Sequence, residues 1–82
     1  MSQWDKLINE ILNLDKNLRF EDLAKALVKM DFTQSQPRGG SSHYTFRKSG
    51  KMPITLTKST PMNKVYIEMV RDAVNEYESE VE

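Results

Sequence analysis

The stretch HYTFRKSGKMPITLT, residues 43–57, alternates apolar and polar side chains on both sides of a Ser-Gly turn. Tyr44 and Phe46 point one way and His43, Thr45 and Arg47 the other. After the turn KSGK, Ile54 and Leu56 share one face and Thr55 and Thr57 share the opposite one. A period of two with β-branched and aromatic residues predicts a β-hairpin, one face buried and one polar. Pro53 fits a strand start or an edge position. Upstream, PRGGSS reads as a turn and FTQSQ as a short, weak strand.

Farther out the period changes to that of helices. Trp4, Leu7, Ile8, Ile11 and Leu12 predict an amphipathic helix over about 3–14, with Ser2 and Asp5 as a capping pair and DKNL as its break. Phe20, Leu23, Ala24, Leu27 and Val28 predict a second helix ending near Met30. Asp31 then stands where a left-handed C-cap residue is expected. After the hairpin, Thr60 as N-cap and Pro61 at the first helical position predict a last helix. Its stripe is Tyr66, Met69, Val70, Ala73, Val74 and Tyr77, followed by a frayed ESEVE tail. The order is α-α-β-β-β-α: an α+β domain whose three-stranded antiparallel sheet buries Tyr44, Phe46, Ile54 and Leu56 against helices on one face.

At 82 residues the chain makes one small domain, 1–82, with 38% hydrophobic residues. It has no cysteine, so disulfides and thiolate metal sites are excluded. No apolar run approaches a membrane span and no signal peptide is visible, so a cytoplasmic protein with no membrane partner is expected.

Net charge is zero, yet it is unevenly spread. Residues 33–66 carry six basic side chains (Arg38, Arg47, Lys48, Lys51, Lys58, Lys64) and no acid, whereas residues 67–82 carry six acids and one base. The plain reading is a solvated basic face. The reading we favour is a segment suited to a polyanion such as a nucleic-acid backbone.

The chain's one histidine, His43, follows the Gly-Gly-Ser-Ser turn at the start of this segment. Glycines admit a close backbone approach, turn amides and hydroxyls can hold a phosphate, and histidine as a residue type suits proton transfer near neutral pH. On residue type alone, a lone histidine is more often structural than catalytic. No metal and no cofactor is expected: there is no second histidine, and no acid lies between Asp31 and Glu68. No phosphate-loop fingerprint is present.

The run from FEDLAKALVKMDF through GGSSHYTFRKSGKMPITLT to KVYIEMVRDAV resembles the HicA family of bacterial toxins, over about residues 18–77. The resemblance implies a double-stranded-RNA-binding-domain-like fold, endoribonuclease activity on messenger RNA and neutralisation by a HicB-type antitoxin. It places the catalytic base at His43 and the Gly/Ser turn at Gly39, Gly40, Ser41 and Ser42. Two positions depart from the family pattern: Asp31 replaces a common Gly, and Ser42 stands where Gly often precedes the histidine. Residues 1–17 form an N-terminal helical extension and 78–82 an acidic tail.

With catalysis at His43, Arg38, Arg47, Lys48 and Lys51 are the candidate phosphate contacts, and a lysine, Tyr44 or water supplies the leaving-group proton. Base-catalysed attack by a ribose 2′-hydroxyl and hydrolysis by activated water are both open. Two other classes compete. A non-catalytic RNA-binding module would use the same basic face. A protein-interaction module would dock an acidic partner there.

Overall fold

The computed structural model describes residues 3–35, 43–59 and 61–80. Three helices and three strands follow in the expected order: α1 Gln3–Leu12, α2 Phe20–Lys29, β1 Thr33–Ser35, β2 His43–Arg47, β3 Ile54–Thr57 and α3 Lys64–Glu80. The sheet is antiparallel in the order β1-β2-β3, which makes β2 central. Its register pairs Thr33 with Arg47, Ser35 with Thr45, His43 with Thr57 and Thr45 with Thr55.

α1 and α2 end by the same device. The N–H of Leu14 donates to the Ile11 carbonyl and that of Asp15 to Glu10, both at 3.0 Å. The N–H of Asp31 donates to Val28 and that of Phe32 to Leu27, again at 3.0 Å. These paired bonds satisfy the last helical carbonyls and require a left-handed residue between them. Leu14 (φ 55°) and Asp31 (φ 75°) hold those positions. Asp31 matches the expectation. Leu14 does not, and α1 stops at Leu12, two residues short of the expected end. Replacing the exposed Asp31 with Gly removes a left-handed side chain that L-residues adopt at a cost. Asp31→Gly is therefore expected to stabilise the domain by about 0.5–1 kcal/mol, less what glycine adds to the freedom of the unfolded chain. Urea denaturation at unchanged slope is the check.

The hairpin buries the expected residues. Phe46 and Leu56 are fully buried, Ile54 is buried and Tyr44 half-buried. The Phe20 ring lies tilted against both Tyr44 (4.8 Å) and Phe46 (6.3 Å), which ties α2 to β2. The turn closes through Lys51 N–H to the Lys48 carbonyl, with Gly50 at φ 79° supplying the left-handed step.

Five helix positions differ from the expected stripes. Val28 is 51% exposed and Leu12 39% exposed, while Ala26, Met30 and Ile67 are buried instead. Eight residues along a helix rotate about 80° past two turns, whereas seven return to within about 20°. Phe20 to Val28 and Trp4 to Leu12 are eight-residue steps, and Leu23 to Met30 is a seven-residue one.

α3 begins later than expected. Asn63 Oδ1 accepts the Val65 N–H at 2.8 Å, and the Asn63 carbonyl accepts from Tyr66, so Asn63 is the N-cap. Pro61 precedes the helix, while Thr60, like Ser2, lies outside the described residues. Buried Met62 fixes the approach to α3. At the other end the helix continues through Glu80, so most of the acidic tail is helical and not frayed.

Candidate nucleic-acid interface

The face of the sheet opposite the core carries Thr33, Ser35, His43, Thr45, Arg47, Thr55 and Thr57. Strand alternation dictates this: Phe46, Ile54 and Leu56 occupy the core side, so their neighbours face outward. Thr45 and Thr55 lie 3.2 Å apart through their hydroxyls across the β2–β3 ladder. Thr57 shares a 3.0 Å hydrogen bond with the Tyr66 hydroxyl at the start of α3. These strand positions present hydroxyls, one imidazole and one guanidinium, and no carboxylate.

His43 is exposed at the first position of β2, opposite Thr57. Arg47 is exposed at the last, opposite Thr33. Both are thus on one face of the central strand, as expected. Arg38, Gly39, Gly40, Ser41 and Ser42 lie outside the described residues.

Lys48 and Lys51 are placed elsewhere. Lys48 follows Arg47, so alternation turns it to the helix side. There its Nζ lies 5.1 Å from the centre of the Tyr77 ring and 5.8 Å from that of Phe32. Lys51 Nζ binds both Glu76 and Glu80 on α3. Tyr44, weighed as a proton donor, is also on the helix side, stacked against Phe20. It is therefore removed from the imidazole's face. Glu76, Glu80 and Tyr77 were not foreseen as partners of the hairpin. The i, i+4 spacing of the two glutamates was the available signal, since it sets both on one helix face.

The Lys51 cluster shifts its own proton affinities. Hydrogen bonds donated to Glu76, then to Glu80, raise the Lys51 ammonium above its ordinary value of 10.5. The hydrogen bond from Lys51 lowers the Glu80 carboxyl, with Lys48 adding a smaller attraction. A carboxyl lowered in the folded state contributes stability above its unfolded pKa and loses it as pH falls through the folded one. The wild type and Glu80→Gln should therefore differ in melting temperature at neutral pH and converge in acid. The pair is solvent-exposed, so added salt should also shrink the difference.

Among the described residues no helix is long and apolar enough to cross a membrane, and no three His, Asp or Glu side chains form a group that could hold a metal. No protein-family model, curated protein or solved structure matches the chain.

Proposed function

We propose that the chain is a HicA-type toxin of a type II toxin–antitoxin pair: a metal-independent endoribonuclease that cuts messenger RNA in the cytoplasm and is silenced by a HicB-type antitoxin. On this reading the α+β fold is the double-stranded-RNA-binding-domain-like variety with an added N-terminal helix. The observation that carries it is the placement of exposed His43 on the acid-free, hydroxyl-lined open face of the sheet, with Arg47 on the same strand.

His43 takes the proton from a ribose 2′-hydroxyl. The 2′-oxygen attacks the adjacent phosphorus, the bond to the 5′-oxygen breaks, and the products are a cyclic phosphate and a 5′-hydroxyl end. Arg47, together with Arg38, Gly39, Gly40, Ser41 and Ser42, holds the phosphate and offsets its growing charge. With Tyr44 on the other face, water or a lysine returns the proton to the leaving oxygen. DNA lacks the attacking hydroxyl and is spared.

The test is incubation of the protein with a long messenger RNA in chelator, followed by end-group analysis. Fragments with cyclic phosphate and 5′-hydroxyl ends support the reading, and cutting that leaves no cyclic phosphate points to activated water. A second reading is favoured by one observation: the strands bring no second proton-transfer side chain to the face that holds His43. That reading is a non-catalytic RNA-binding module on the same face. It predicts RNA that is bound and never cut.

A further inference from the structure

The β2–β3 turn and the C-terminal half of α3 enclose an open groove of about 270 Å³, lined in part by Phe32, Lys48, Lys51, Met69, Tyr77 and Glu80. Its charges come from opposite ends of the uneven sequence. Lys48 and Lys51 belong to the acid-free basic segment, and Glu76 and Glu80 to the acidic C-terminal segment. The two glutamates grip one ammonium from successive turns of α3, while Lys48 sits over Tyr77 between them in sequence.

These acids stand where a helix alone would not favour them. The C-terminal end of a helix carries partial negative charge and stabilises cations, yet the last turn of α3 has no basic residue. The cation that answers Glu76 and Glu80 comes instead from the hairpin, as Lys51. Four residues apart, the two carboxylates also lie one turn apart on one face of α3, so they present a short line of negative charge as a phosphate backbone does.

We propose that the end of α3 is a built-in polyanion mimic that competes with RNA for Lys51. This rests on RNA being the partner of the basic segment. The carboxylates occupy the Lys51 ammonium, so in the resting protein Lys51 adds little to RNA affinity and Arg47 and the open face supply most of it. A backbone that displaces Glu76 and Glu80 gains a phosphate contact at Lys51. Exposed ion pairs of this kind are weak, so the competition sets affinity within roughly a tenfold range and does not block binding.

The experiment measures binding of an unstructured RNA oligonucleotide across a salt series, with His43→Ala present throughout so that the probe is not consumed. Glu76→Gln/Glu80→Gln is compared with Glu21→Gln/Glu78→Gln, which removes the same charge from exposed carboxylates outside the cluster. Each is made with and without Lys51→Gln, and folding is matched by circular dichroism. Glu76→Gln/Glu80→Gln should bind roughly two- to tenfold tighter than the parent, with a salt slope steeper by about 0.7 for the phosphate gained. Lys51→Gln should cancel that gain and scarcely change binding by the parent. Equal gains from both pairs, a gain that survives Lys51→Gln, or no gain would each overturn the proposal. Cleavage by wild type with no gain in Glu76→Gln/Glu80→Gln refutes the mimic alone. A gain without any cleavage by wild type refutes the nuclease alone.

Discussion

His43→Ala is expected to lower the rate of RNA cleavage by about a hundred- to ten-thousandfold, the usual contribution of a positioned general base. RNA binding should change far less, because Arg47 remains on the same strand and the face keeps its threonine hydroxyls. His43 is exposed, so its removal opens no cavity in the core. Circular dichroism and melting should match the wild type, which separates lost chemistry from lost structure. Adding imidazole to the variant tests the role directly: a base that left with the side chain is replaced from solution, and activity partly returns. Arg47→Ala should do the converse, weakening RNA affinity and lowering the salt slope by about 0.7, as expected for one lost phosphate contact on a single strand. Equal cutting by wild type and His43→Ala would remove His43 from the reaction. Absence of cutting by either, with RNA still bound, would leave the binding module.

Much of this arrangement is legible in the sequence because strand alternation is a strict constraint. One buried position, Phe46, fixes the side of every neighbour in β2, and the register then carries the assignment to Thr55 and Thr57. Helical faces are less strictly set. Val28 belongs to the stripe by spacing from Phe20, yet Ala26 and Met30 take the buried positions because the helix is rotated to present Leu23 and Leu27 at the centre. Thr60-Pro61 and Asn63 are both valid starts for α3 locally, and Asn63 is the one that caps it, with Met62 buried just before. The partners of Lys48 and Lys51 are legible only as far as the i, i+4 spacing that sets Glu76 and Glu80 on one helix face. Charge counts placed them in a basic segment, but only the packing of α3 beside the hairpin brings Glu76, Glu80 and Tyr77 within reach. The same alternation that sends His43 and Arg47 outward sends Lys48 to α3.

Phe46→Ala is the substitution expected to cost the fold most. Phe46 is fully buried at the centre of β2, paired with Ile54 on one side and Gln34 on the other, and its ring meets Phe20 of α2. It therefore joins the sheet to the helical layer. Truncating a buried phenylalanine costs about 3–5 kcal/mol through lost apolar transfer and the cavity left behind. A domain of this length has a total stability of only about 4–12 kcal/mol on per-residue scaling. The variant should be partly or wholly unfolded at 37 °C, with its near-ultraviolet dichroism lost and its urea midpoint moved sharply down. Val28→Ala supplies the contrast. It removes an apolar side chain from a helix of the same domain, but from one that is half exposed, and should shift stability by less than about 0.5 kcal/mol. A Val28→Ala loss comparable to that of Phe46→Ala would mean that α2 is rotated from the orientation described, with Val28 facing the sheet. That rotation would also turn Ala26 outward and detach Phe20 from Tyr44, so the pair of variants tests the packing that holds β2, and with it His43, in place.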